Sequence, residues 1–393
     1  MFTIGTQKFK DAQELLDYLA AGYGFPDECF DHKAILHPIE SLMAEGAGDL
    51  AHGIFQRSKQ VLDLYEYDSF LSTIYSAFDY NTPATEKNLG FFWYLVSNTQ
   101  NINEEVSNKT LLEYYLDRGL PVEFFYLLLE AGCDVNYRSS TGRTYLHNII
   151  DIYWHIISDD TKMAWFLMLI DAGIDINQKN NEGETALIYA VKNCAYQYIK
   201  TLLDHDADPN QTDDYKCSAF YYTMAHGERN LAFDLMMQYA SPDFDMLNRY
   251  GETSFIAFMK RFSGSEEDMK LLPKLIEAGA DFSQTITGPH GDNISAISLL
   301  ARKKTEVLKF VLEQKFIDVH QKDNNGDTIL HMVCASYTGW DSETAKEVYR
   351  KVKLLLQEGA DPDSLNDRDE TPMMLAVLDD AKAKTVELLL AAR

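Results

Sequence analysis

Histidine, cysteine and carboxylate are the side chains that could carry chemistry here. Their spacing decides whether they do. The five cysteines, Cys29, Cys133, Cys194, Cys217 and Cys334, are odd in number and form no C-x-x-C pair. That is neither a disulfide framework nor a zinc ribbon, and it suits a reducing cytoplasm. No G-x-S-x-G, H-E-x-x-H or G-x-x-x-x-G-K-[ST] occurs, so the residues for a nucleophile elbow, a zinc-protease helix or a phosphate loop are not at the required spacing. His32, His37, His52 and Cys29 make no motif either. Carboxylates are abundant, but Asp134, Asp175, Asp208, Asp281 and Asp361 return in one local context: GCDVN, GIDIN, DADPN, GADFS and GADPD. Asp and Asn in such places bond their own backbone in a turn. Recurrence along the chain argues against a single catalytic pair, so we expect no enzyme activity, cofactor or metal.

The elements that carry these residues are themselves periodic. A Thr or Ser opens a helical segment at Thr110, Thr144, Thr185, Ser218, Thr253, Ser295, Thr328 and Thr371, at intervals of roughly 33 to 43 residues. The opening recurs as TGRTYLH, EGETALI, YGETSFI, NGDTILH and RDETPMM. A second apolar segment follows each time, including Phe124 to Leu129, Phe166 to Ile170, Tyr198 to Leu203 and Val307 to Leu312. Helices this short are marginal alone and need a neighbour on each side. Pro209, Pro242 and Pro362 fall just past helix ends.

These motifs in register resemble the ankyrin repeat, with its T-P-L-H helix opening and period of about 33 residues. The resemblance implies an all-α fold, a solenoid of stacked antiparallel helix pairs joined by hairpin-like turns. We expect about eight repeats over 106–393. Residues 1–105 should form an N-terminal helical cap of one or two degenerate repeats; a separate small helical domain is the alternative. In the family the T-x-L-H histidine is structural, bonding the neighbouring turn, and that role is carried to His147 and His331 only.

Apolar residues make up 46% of the chain, enough for a continuous core, and the formal net charge is −26. That charge disfavours nucleic acid, because phosphates are repelled. The N-terminus lacks a signal-peptide apolar core, and no run of about 18 apolar residues is present, so no membrane span and a cytoplasmic monomer are expected.

The repeats opening at Thr144, Thr253 and Thr328 are long, with the additions IYWHIISDDTK, KRFSGSEEDMK and SYTGWDSETAKEVYRK between their helices. Either these are loops presenting Trp154, Tyr337 and Trp340 as binding anchors, or they lengthen helices. The resemblance also implies a concave face of turn tips and first helices. Carried residue by residue, it collects Tyr215, Arg249, Tyr250, Lys260, Arg261, Arg302 and Lys303, with Asp214, His226, Glu252 and Lys304 beside them. Arg and Tyr are enriched at binding hot spots. The patch is therefore expected to receive an acidic element of a protein partner; the other reading pairs these cations with Glu266, Glu267 and other surface acids, for about 0–1 kcal/mol each.

Two function classes follow: a non-enzymatic interaction scaffold, or an enzyme whose chemistry sits in the first hundred residues. Within the first, an acidic inhibitor or immunity protein blocking a basic toxin or enzyme, and a bacterial effector delivered into a host cell, are both compatible with the charge.

Overall fold

The computed structural model describes residues 2–4, 7–23, 32–57, 62–64, 75–105, 109–152, 157–225, 230–287, 293–339 and 341–393. Cys29, Trp154, His226 and Trp340 lie outside them.

The openers work as the spacing predicts. The hydroxyls of Thr110, Thr185, Ser218, Thr253, Ser295 and Thr371 each accept the N–H three residues on, at 3.1–3.3 Å. Such a cap is worth about 1 kcal/mol. First helices are short, for example Leu111–Arg118, Ser254–Arg261 and Ile329–Ala335. Each is followed by a second helix, here Val122–Glu130, Glu266–Glu277 and Ser342–Gln357. From Leu111 onward the described residues make eight such pairs.

The chain divides into two compact units, residues 1–190 with 204–207, and 191–203 with 208–393. In the first, the helices Gly48–Arg57, Glu86–Asn98, Val122–Glu130 and Asp159–Asp171 pack in series. Aromatic rings fill the space between them. Phe92 meets Phe78 at 4.8 Å, Phe124 at 5.2 Å and Tyr115 at 5.5 Å, all edge to face, and all four are buried. In the second unit the first helices Ala219–Ala225, Ser254–Arg261, Ala296–Ala301, Ile329–Ala335 and Pro372–Val377 pack in series, as do the second helices Thr305–Glu313, Ser342–Gln357 and Ala383–Ala391. Buried Phe255, Phe258 and Phe282 anchor its middle.

Strand is confined, among the described residues, to two small antiparallel hairpins, Phe2–Ile4 with Gln7–Phe9 and Thr285–Thr287 with Asn293–Ser295. The second hairpin corrects one expectation. Part of the extra length of the Thr253 repeat lies in this turn rather than between its helices. The remaining additions mostly lengthen second helices. Asp159–Asp171 and Ser342–Gln357 run to 13 and 16 residues, against nine for Val122–Glu130. Their new N-termini are capped by Ser158 and Asp341. Tyr337 does stand in a loop, and it is exposed.

Candidate partner-binding surface

The turns that carry the predicted surface are built by one device. Asn180, Asp213, Asn248, Asp323 and Asn366 each accept, on one side-chain oxygen, the N–H groups two and four residues on, at 2.8–3.0 Å. An Asx turn of this kind needs a short acceptor and a left-handed residue. Gly326 supplies the latter at φ 73°, as does Gly142 at φ 70° in the equivalent turn opened by Ser139. A Cβ on Gly142 would also lie 2.8 Å from the backbone nitrogen of Asn181, which donates to Thr141 O across the turns. Lys216 and Asp369 adopt the same conformation at φ 58° and 57°.

The two histidines lock these turns. His147 is fully buried. Its Nδ1 lies 2.8 Å from Thr144 Oγ1 and 3.3 Å from Thr144 N, and its Nε2 lies 3.1 Å from Glu184 O. A carbonyl can only accept, so Nε2 carries the proton and Nδ1 accepts. Burial pushes the His147 pKa down to about 4, so the ring is neutral. His331 repeats the arrangement with Thr328 and Glu370 O. The structural role expected of both holds, and they are fully engaged.

The cations in the second unit sort into two sets. Arg261 donates from Nε to Met224 O and from Nη1 to the buried Asp268, and its guanidinium lies 4.9 Å from the Phe258 ring. Burial works against the Asp268 carboxylate, but bonds from Ser263 and Arg261 hold its pKa below the usual carboxylate range. Lys303 donates to Lys260 O at 3.2 Å, Lys351 to Ala301 O at 3.0 Å and Lys382 to Cys334 O at 2.8 Å. Burial lowers the pKa of all three lysines. Each accepting carbonyl sits at the C-terminal end of the first helix one repeat earlier, where unpaired carbonyls and the negative dipole end favour a cation. These four therefore hold the stack together. Lys260, also expected in the patch, is ion-paired with Glu252.

The second set faces water. Arg249 and Arg302 are exposed, as are Tyr215 and Tyr250. Arg249 N donates to Tyr215 O at 2.8 Å across adjacent turns, and its guanidinium carbon lies 6.0 Å from the Tyr215 ring centre. The structure thus brings Arg249 to Tyr215, and it brings Lys260 to Lys303 and Arg261 to Asp268. The alternative reading, pairing with acids, holds for Lys260 with Glu252 and Arg261 with Asp268, while Glu266 bonds Lys270.

The sequence profile for ankyrin repeats in three copies matches residues 117–213 and 152–246. Residues 117–246 are ankyrin repeats. Among solved structures it is similar to the ankyrin repeat domain of Bcl-3, of the IkappaB protein family, at 18% identity, TM-score 0.49, covering 64% of this chain and 100% of that chain. It is also similar to a chain in the structure of the Bd0816 predatory endopeptidase from Bdellovibrio bacteriovorus in complex with immunity protein Bd3460, at 18% identity and TM-score 0.39, covering 54% of this chain and 100% of that one. A search of curated proteins gives no match.

The ankyrin array has a second charged locus, in its first unit, that the sequence reading did not single out. Glu113 occupies the histidine slot of its repeat. It accepts from Asn148 Nδ2 at 3.3 Å, and its pKa is raised by burial and by Asp117. Arg143 turns toward Asp151 at 2.9 Å, His147 O at 3.1 Å and Tyr189 at 3.1 Å. Lys109 pairs with Asp117. The cations here are already matched to carboxylates. The visible signal was Glu113 itself, a carboxylate where TYLH and TILH carry histidine. Among the described residues no cluster of three or more His, Cys, Asp or Glu is placed to hold a metal, and no helix is long and apolar enough to cross a membrane.

Proposed function

We propose that this ankyrin-repeat protein is a non-enzymatic scaffold that binds a protein partner through the turn tips and first helices of its second unit. The observation that supports it is the trio Tyr215, Arg249 and Tyr250. They are exposed on adjacent turn tips, and the turns beneath them are fixed by Asp213 and Asn248. A rigid aromatic–guanidinium pair presents hot-spot residue types at low entropic cost. The partner offers an acidic element to Arg249, with Arg302 and Lys304 as further exposed cations. Arg261 and Lys303 support this surface from behind, because their charges are taken by helix-end carbonyls and Asp268.

Trp154 and Trp340 stand as contact residues on sequence grounds alone. Residues 1–105 close the array as a cap, which the bonds from Asn103 to Gly132 O and from Asp134 N to Asn103 support. The buried free thiols of Cys133, Cys217 and Cys334 fit work in a reducing cytoplasm. The test is affinity purification from the source cell followed by binding of the captured partner to Arg249→Glu/Tyr250→Ala. A loss of tenfold or more in affinity with unchanged circular dichroism supports the reading. Unchanged affinity and salt dependence removes this surface from the interface.

A further inference from the structure

The second helices of the first unit carry an apolar surface that the fold leaves uncovered. Trp93 is 40% exposed, Tyr126 51% and Leu167 39%. They lie on the three consecutive packed helices Glu86–Asn98, Val122–Glu130 and Asp159–Asp171. A groove of about 430 Å³ joins these helices, lined by Leu89, Val122, Glu123, Tyr126, Leu127 and Met168. Trp93 stands one turn along from Leu89, and Leu167 adjoins Met168. Single exposed apolar residues are ordinary, but Trp, Tyr and Leu exposed on three packed helices that share an apolar groove mark an interaction surface.

The charge says what kind of partner fits. Glu123 lines the groove, and the same three helices carry further exposed carboxylates at Glu86, Glu130, Asp160 and Asp171. The cations on these three helices are Lys87 and Lys162, and each already has a carboxylate, Asp49 at 3.0 Å and Asp159 at 3.3 Å. The three helices therefore carry excess negative charge beside an apolar floor. The spacing selects a helix. Packed helices lie about 8–10 Å apart, and seven residues of α-helix advance about 10 Å. A helix laid crosswise would offer one apolar side chain to each second helix at heptad intervals.

We propose that this face docks an amphipathic α-helix of a protein partner, apolar on one side and edged with Lys or Arg. Tyr126 and the Leu89 to Trp93 turn receive its apolar stripe, and the five carboxylates receive its basic edges. This surface is separate from the turn tips carrying Arg249 and stands or falls independently of them.

The test uses the full chain and a labelled synthetic peptide, about three heptads long, with leucine at the heptad core positions and lysine elsewhere. A scrambled peptide of the same composition is the control. Fluorescence anisotropy should show saturable binding of the heptad peptide, at least tenfold tighter than the scrambled one. Tyr126→Glu/Leu167→Glu should weaken it by at least tenfold, and Arg249→Glu should leave it unchanged. Both sites are exposed, so the variants should keep the wild-type circular dichroism and melting curve. A second pair, Glu123→Gln/Glu130→Gln, keeps the apolar floor and should weaken binding with a reduced salt dependence. Equal binding of the two peptides, or binding indifferent to Tyr126→Glu/Leu167→Glu, overturns the proposal. So does self-association of the wild type that the same double variant abolishes, because the occupant would then be a second copy.

Discussion

In the first unit, neighbouring repeats are joined by a run of neutral groups, beside guanidinium links from Arg118 to Ser76 O and Phe78 O and from Arg138 to Lys179 O. Asn103, Asn136 and Asn177 each reach from one closing turn to the next, Asn136 with 3.2 Å to Gly173 O and 2.7 Å from Asp175 N, and His147 ties a helix opening to the following turn. In the second unit the neutral links recur, as His331 to Glu370 O and Asn210 to Ser241 O, and a run of ammonium and guanidinium groups is added through Arg261, Lys303, Lys351 and Lys382 on successive helix ends. The same repeat can thus be stitched with or without net charge. Sequence position alone does not tell a stitch from a binding residue. The two kinds should fail under different conditions, which gives ways to separate them.

The largest effect is expected at Arg261. Arg261→Met leaves Asp268, buried with its side chain 4% exposed, without its cation and with only the Ser263 bonds, and Met224 O without the guanidinium donor. Breaking a buried pair from one side costs about 3–5 kcal/mol. Because Arg261 is partly solvated, about 3 kcal/mol is expected, read as a lower midpoint in chemical unfolding. Arg261→Met/Asp268→Asn should recover part of that loss. An unmoved midpoint would make Arg261 a surface cation after all.

Acid should break the neutral stitch before the charged one. His147 has a folded pKa of about 4 against an ordinary 6.5. Between those values the unfolded chain binds more protons, so stability rises with pH and falls as pH drops from 6.5 toward 4. The full span is worth about 3 kcal/mol. Asp268 is depressed, so its contribution is present above the unfolded carboxylate pKa and is lost as pH falls through its lowered folded pKa. Unfolding followed from pH 7 to pH 4 should therefore show a decline that His147→Gln flattens. A decline of equal slope in that variant would assign it elsewhere.

Lys351 offers a milder test. Lys351→Met keeps the buried stem but leaves Ala301 O unpaired at a helix end. An unmade buried bond costs about 1–3 kcal/mol, and removing a buried charge offsets part of it. A net loss of about 1 kcal/mol is expected. A stabilised variant would mean that the carbonyl finds water.

Much of the fold was legible because the Thr and Ser caps, the left-handed glycines and the D-x-N turns are local devices that short motifs encode. His147 and His331 were legible for the same reason. The cation stitches were not. Arg261 and Lys303 pair with carbonyls in the preceding repeat, and backbone acceptors leave no trace in side-chain sequence. The clustering of Arg249, Lys260, Arg261, Arg302 and Lys303 was visible, but its division into exposed and engaged members depends on helix-end geometry. Trp93, Tyr126 and Leu167 were hidden differently. They sit among core residues such as Phe92, Phe125 and Phe166, and composition alone cannot tell which apolar side of a helix faces water.

The smallest effect is expected at the asparagine ladder, and it sharpens the contrast most. Asn136 makes two bonds to the next repeat, one as donor to Gly173 O and one as acceptor from Asp175 N. Both are exposed, so water replaces them in Asn136→Ala, and the net loss should be about 0.5–1 kcal/mol. Asn136→Asp is the informative companion. It keeps an acceptor for Asp175 N but sets a carboxylate against the carbonyl of Gly173, close to Asp134 and Asp175. It should cost more than alanine at low salt and recover as salt screens it, because exposed charges interact over about one Debye length. Alanine should show no such recovery. If the two variants lose the same stability at every salt concentration, the amide donor contributes nothing and the ladder is held by the backbone turns alone.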